Sequence, residues 1–187
     1  MQKPKQNVLF RPIDLEQHRE IVCRFRKDTA VVSFGSEEQF SGPDGHDVDR
    51  FIVLLSERIR AYPAGHVHAW LDGKIIGQIE ARPRNDLLPD KENIGYVGLF
   101  YIAPQWRGMG YGAMLQDYVE SWFRTMECPR LLLSVSPTNS TAWAFYIRQG
   151  WKDCGPRPGS PQVHLMEKWL HPKDTPKQTV TNGNAGL

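Results

Sequence analysis

The sequence predicts one α/β domain of the α+β kind, with a central mixed, mostly antiparallel sheet of about seven strands flanked by helices. Three observations predict it. Residues 94–135 read strand, helix, strand: an apolar run from Ile94, then Tyr111, Met114, Leu115, Tyr118, Val119, Trp122 and Phe123 at three- and four-residue spacing, then Arg130 to Val135. A helical crossover of that length makes the two strands parallel. Upstream, the runs at 66–71 and 74–82 flank Asp72-Gly73, the strongest short-range hairpin signal in the chain. Finally, 187 residues with 40% hydrophobic and 24% charged content suit one soluble domain with a sizeable core.

The elements follow in order. Residues 1–6 read as a loose end, 7–170 as the domain and 171–187, polar and punctuated by Pro and Gly, as a disordered tail. Asn7 to Ile13 is a first strand closed near Pro12. Asp14 can cap the next helix, whose apolar face is Leu15, Ile21, Val22 and Phe25. From Val31 to Asp47 the chain reads as irregular. A helix from about Val48 to Ala61 presents Phe51, Ile52, Leu54, Leu55 and Ile59, and Tyr62 to Gly65 ends it. After the hairpin comes a polar loop, Pro83 to Asn93. The strand from Ile94 then runs to a short turn at Pro104–Trp106, followed by glycines at 108, 110 and 112. Cys128-Pro129 breaks the ensuing helix. Pro137 to Asn139 starts another helix, Gly150 ends it, and Trp151 opens a strand. Gly155 to Gln162 reads as a turn-rich loop before a last strand, Val163 to Leu170.

Several function classes drop out. A net charge of +2 with no Lys/Arg stripe does not argue for nucleic acid. No apolar run approaches the roughly 20 residues that span a bilayer, and no apolar signal-peptide core follows the first residues. Cys23, Cys128 and Cys154 are odd in number and widely spaced, so they suggest free thiols in a reducing, cytoplasmic setting, and no His/Cys/Asp/Glu cluster asks for a metal.

The chemistry centres on residues 94–113. A strand that ends in a Gly-rich turn opening a helix is a phosphate-binding device: bare N–H groups and the positive end of the helix dipole meet the anion, and glycine lets the backbone come close. Gly108-Met109-Gly110-Tyr111-Gly112-Ala113 fits the dinucleotide pattern G-x-G-x-x-G/A, but the acid expected about 20 residues on is missing from the window 128–134. Arg107 to Gly112 instead follows R/Q-x-x-G-x-G/A. A second block, Asn139, Ala142, Tyr146, Gly150 and Trp151, follows N-x-x-A-x-x-x-Y-x-x-x-G-F/W. Together, in this order and with a strand between them, the two blocks resemble the acetyl-CoA signature of the GNAT superfamily of N-acetyltransferases. The resemblance is specific from Gly95 to Trp151 and only topological before that.

The resemblance implies a GNAT-like domain in which the two parallel strands splay apart at the cofactor. Acetyl-CoA is the co-substrate it implies. The N–H groups of Gly108, Met109, Gly110, Tyr111, Gly112 and Ala113 would hold the diphosphate. Arg107 would add a charge-assisted bond at the rim. The backbone of Phe100, Tyr101 and Ile102 would receive the pantetheine arm as a pseudo-strand and hold the thioester oxygen. Asn139 is either a contact of that arm or a plain helix N-cap. Tyr146 is either a core tyrosine or the general acid that protonates the departing thiolate. Trp106 and Trp122 read as packing.

The base is less legible. At the strand position where the family often carries a glutamate stands Tyr96, so Glu80 on the neighbouring hairpin strand is the substitute, with Glu92, His68 or a water chain behind it. The acceptor would be a small-molecule or peptide amine. The acidic residues of segments 31–47 and 83–93, such as Glu37 and Asp90, favour a cationic one. No cysteine sits in a nucleophile setting, which favours direct attack without a covalent enzyme intermediate. A CoA-binding sensor without turnover is the alternative. The oligomeric state stays open, a homodimer included.

Overall fold

The chain opens on a short edge strand, β1 (Leu9–Pro12), and a long helix, α1 (Leu15–Phe34). The structure, a computed structural model, describes residues 8–42, 47–85 and 93–170; the expected loose end and tail, Asn7, Glu92 and parts of both acidic segments lie outside the described residues. Asp14 caps α1, its Oδ1 accepting from the N–H of Glu16 at 2.9 Å and Gln17 at 3.1 Å. The helix runs through Val31–Phe34, where the sequence reads as irregular. Burial of Ala30 and Ser33 overrides the weak helix propensity of Val31 and Val32, and Gly35 in the left-handed conformation stops the helix. One turn, α2 (Glu38–Ser41), and α3 (Asp47–Ala61) follow.

The remaining elements are β2 (His66–Leu71), β3 (Lys74–Arg84), β4 (Ile94–Ile102), α4 (Tyr111–Thr125), β5 (Arg130–Val135), α5 (Ser140–Arg148), β6 (Lys152–Arg157) and β7 (Ser160–Trp169). With β1 these strands form a seven-stranded sheet of order β1-β2-β3-β4-β5-β7-β6. Only β4 and β5 pair in parallel. Asp72 and Gly73 both take positive φ (48° and 74°), the two-residue hairpin turn that matches strand twist. Residues 155–162 differ from the expected loop. They carry β6 and β7 into a hairpin, which tolerates Pro156 because β6 is the sheet's edge.

One irregularity positions the site. Between β3 and β4 the register slips, so that Glu80 faces Leu99 and Ala81 faces Val97, leaving Gly98 as an extra residue. Such a bulge bends the strand and turns its side chains over. Before it, Val97 lies in the main core with Ile79, Leu131, Leu133, Val119 and Phe123 under α4. After it, Leu99 and Tyr101 pack with Phe25 of α1 on the opposite face.

Candidate active site

The strand pair opens where β4 bulges. Only Gly95, Tyr96 and Val97 pair with β5, at Leu131, Leu132 and Leu133. From Leu99 onward β4 keeps β3 as neighbour and leaves its other edge unpaired. Ala103 donates to the Ile76 carbonyl at 2.9 Å on the β3 side, so strand alternation turns the main chain of Phe100 and Ile102 toward the opening and that of Tyr101 toward β3. The Tyr101 hydroxyl donates to Asp28 Oδ2 of α1 at 2.8 Å.

Below this edge the chain makes a helical turn at Pro104–Trp106 and enters the glycine stretch. Gly110 is the N-cap of α4 with φ 88°, and no side chain caps the helix. The amides of Gly108, Met109, Gly110 and Gly112 have no backbone acceptor among the described residues. A Cβ placed on Gly108 or Gly110 would meet nothing within 4 Å, so the turn faces open space. Gly112 differs: its Cβ would come within 3.0 Å of Phe145 Cε2, so this glycine lets α5 lie close on α4. Ala113 already donates to the Gly110 carbonyl at 3.1 Å. Arg107 is largely engaged in tying the turn down. Its Nε donates to the Ile102 carbonyl and its Nη2 to Asp28, both at 2.8 Å, and it lies over the Tyr101 ring.

Tyr146 stands at the other side of the opening. It is 8% exposed, with its ring 6.4 Å from Phe100, 5.4 Å from Phe145 and 5.8 Å from Trp151. Trp151 Nε1 donates to Gln116 Oε1 of α4 at 3.0 Å, and its amide to the Tyr146 carbonyl at 3.1 Å, which fixes the end of α5. The Tyr146 hydroxyl has no hydrogen-bond partner among the described residues. Burial pushes its phenol well above the ordinary value of about 10. Asn139 caps α5 through Oδ1, accepting from Ala142 N–H at 3.1 Å, while its Nδ2 donates to Ser33 Oγ at 3.3 Å. Both ends of that amide are thus occupied within the fold.

On the α1 face a cavity of about 280 Å³ reaches the bulge, with Glu80 and His66 in its wall. Glu80 is 2% exposed. It forms a two-armed ion pair with Arg26, whose Nε donates to Oε1 at 2.8 Å, and Oε1 also accepts from Gln78 Nε2 at 2.8 Å. His66 pairs with Glu80 across the hairpin. Its Nδ1 donates to the Tyr62 carbonyl at 3.0 Å, which leaves Nε2 as the acceptor of the neutral ring, without a partner among the described residues. Burial, and secondarily Arg58 and Arg26, hold the His66 pKa below 6.5, against the opposing pull of the Tyr62 carbonyl and Glu80.

His68 lies deeper, fully buried, with Nε2 3.1 Å from Gln78 Oε1. It does not line the cavity. Burial pushes its pKa down to about 4. Below pH 6.5 the unfolded chain therefore takes up a proton that the folded one refuses. Stability should fall as pH drops from 6.5 to about 4, by about 3 kcal/mol in total. Denaturant unfolding at pH 7 and pH 4.5 checks this: His68→Gln should lose much less stability between the two than the parent chain.

The model of the acetyltransferase (GNAT) family matches residues 31–151, which contain the opening, the glycine turn and Tyr146. The chain belongs to the GNAT family. Similar proteins agree. An aminoglycoside N(6')-acetyltransferase type 1 of Stenotrophomonas maltophilia is 36% identical over 62 residues, 32% of this chain and 40% of that one, so the match spans less than half of the relative. Among solved structures, the PaiA N-acetyltransferase from Thermoplasma acidophilum in complex with coenzyme A shares the fold at TM-score 0.68 and 18% identity, over 87% of this chain and 99% of that one. A ribosomal-protein-alanine N-acetyltransferase from Brucella melitensis does so at 0.65 and 18%, over 87% and 99%.

Within this GNAT domain the edge at Phe100 and Ile102, the turn at 108–112 and Tyr146 border one opening, whereas Tyr101, Arg107, Ala113 and Asn139 are engaged within the fold, and Glu80 lies in the cavity beyond the bulge. The sequence reading missed His66 and the arginines around it. No helix among the described residues is long and apolar enough to cross a membrane.

Proposed function

We propose that the chain transfers an acetyl group from acetyl-CoA to an amine by direct attack in a ternary complex. The observation that carries this reading is the uncapped, open-faced turn at residues 108–112 beside the unpaired edge of β4. A diphosphate suits the turn, since four unoccupied amides and a helix dipole favour an anion without fixed cationic side chains. An amide-rich arm suits the edge at Phe100 and Ile102, where a free N–H can also hold the thioester oxygen as it gains charge. Acetyl-CoA, once bound, supplies an activated acetyl group and a thiol leaving group.

Tyr146 is the proton donor in this reading. Its raised pKa keeps it protonated throughout the working range. A sulfur in the same dry site is raised for the same reason, which preserves the small gap between phenol and thiol. The cysteines are poor candidates for a covalent route. Burial lifts the Cys128 thiol to about 11 and raises Cys23 as well. Free thiols also fit the cytoplasmic setting.

For proton removal we favour His66 over Glu80. The oxygens of Glu80 are engaged by Arg26 and Gln78, whereas His66 Nε2 is an unused acceptor on the cavity wall. With its pKa held below 6.5, His66 is neutral and able to accept at pH 7. The acceptor's kcat/KM should therefore fall as pH drops below about 6.5 through loss of the neutral imidazole. His66→Gln should lower the plateau by about a hundredfold or more and remove that limb. An unchanged profile would return the role to Glu80 or water.

Acceptors named for relatives, an aminoglycoside and a ribosomal-protein alanine, define the first panel. Thiol release with that panel tests turnover. Thermal stabilisation by CoA but not by NAD tests the site itself.

A further inference from the structure

The cavity beside the bulge has a charge pattern opposite to the one the acidic segments suggest. Five arginines line it, at 26, 58, 82, 84 and 157, and among the described residues Glu80 is the one carboxylate in its wall. Glu80 is already matched by Arg26. Arg157 donates to two neutral oxygens, Tyr96 Oη at 3.3 Å and Ser134 Oγ at 3.2 Å. Arg58 and Arg82 have neither a hydrogen bond nor an ion pair with any described residue. Burial lowers the pKa of Arg58 and Arg82 lowers it further, against the opposing pull of Glu80. Arg84 stacks on the Tyr96 ring at 5.4 Å.

Like charges gathered in a half-enclosed space destabilise the empty fold, because water screens them less than on an open surface. Among the described residues nothing beyond Glu80 calls for Arg58 or Arg82 here. Glu80 needs one guanidinium, and β3 would pair equally well with neutral residues at 82. An arrangement that costs stability without a structural return is the mark of a binding site. Guanidinium groups converging from α3, β3 and the β6–β7 hairpin match the planar, multi-acceptor geometry of carboxylate and phosphate.

We propose that this cavity binds an oxyanion, carboxylate or phosphate, carried by the acetyl acceptor itself, so that the acceptor is a small amine bearing an anionic group rather than a polycation. The inference rests on the transferase reading above. It also bears on the chemistry. Cations that hold the acceptor's anion repel its ammonium, which favours the free amine that attacks, and each pKa unit so gained is a tenfold rise in reactive acceptor. His66 then takes the proton in a site already biased against it.

The test uses the full chain saturated with CoA or acetyl-CoA, with 4-aminobutyrate beside 4-aminobutyramide, and 2-aminoethyl phosphate beside ethanolamine. Binding is read by calorimetry and transfer by thiol release. The anionic member of at least one pair should be preferred by about tenfold or more, the loss expected for a charge-assisted bond; which pair shows it separates carboxylate from phosphate. Arg58→Gln with Arg82→Gln should erase the preference. It should also raise the melting temperature of the ligand-free protein, since a repulsion is removed, and this second readout reports on folding. Equal or better use of the neutral members, an unchanged preference in the variant, no arginine-dependent binding of either anion, or displacement of the anion by CoA would each overturn the proposal. Arginine-dependent anion binding in a protein that fails to bind CoA would instead sink the transferase reading and leave the anion site standing.

Discussion

Tyr146→Phe should lower kcat by about a hundredfold or more, the usual worth of a positioned general acid, with CoA affinity unchanged within about twofold. The geometry makes this separation clean. The hydroxyl has no partner among the described residues, so its removal orphans no donor or acceptor. The ring keeps its packing against Phe100, Phe145 and Trp151. Stability should therefore hold or rise slightly. A second readout distinguishes proton donation from a packing effect. An acyl donor whose thiol is more acidic needs less help on leaving, so the deficit of the variant should shrink with it. Because burial keeps the phenol protonated well past its ordinary range, no falling limb assignable to Tyr146 should appear below pH 10. Unchanged turnover in the variant would remove Tyr146 from the mechanism.

What was legible in the sequence was local. Asp72-Gly73 dictates a hairpin because both positions need positive φ. The glycines at 108 and 110 and the apolar stripe of α4 lie within a single strand–turn–helix unit, so spacing alone reveals the open turn proposed for the diphosphate. The arginine-lined cavity was not legible, because it is assembled from distant pieces. Arg26 meets Glu80 across 54 residues, and Arg157 reaches Tyr96 across 61. His66 was missed for a subtler reason. Counting back from Leu71 opposite Lys74 would set His66 against Ile79 in a regular ladder. A slip at Ala69/Trp70 sets it against Glu80 instead, beside the carboxylate that shares its cavity. The slip at Gly98 likewise decides where β4 parts from β5. Bulges depend on packing from both sides of a sheet, which residue pattern alone does not encode. The acidic segments and the arginine-lined cavity point to different acceptors. Composition counts charges along the chain, whereas the cavity is lined by the ones that folding brings together.

Gly110→Val should weaken CoA binding by at least about a hundredfold, or about 2.7 kcal/mol. Two features of the turn produce the effect. Gly110 has φ 88°, which a β-branched residue adopts only under strain. The added side chain also stands in the open space before the free amides, where the diphosphate would lie. The strain acts on folding and the obstruction on binding, so the two must be told apart. Strain of about 1–2 kcal/mol at one residue leaves the core under α4 intact, and the melting temperature should fall by only a few degrees. Gly112→Ala supplies the contrast. Its Cβ would press on Phe145 at 3.0 and 3.2 Å, so it should cost stability and disturb the seat of α5, and Tyr146 with it. Loss of binding at near-parental stability in Gly110→Val, against loss of stability in Gly112→Ala, would assign 110 to the ligand and 112 to packing. A folded Gly110→Val protein that binds CoA at parental affinity would show that the diphosphate is held elsewhere. The aim of the thioester at Tyr146 would then have no anchor.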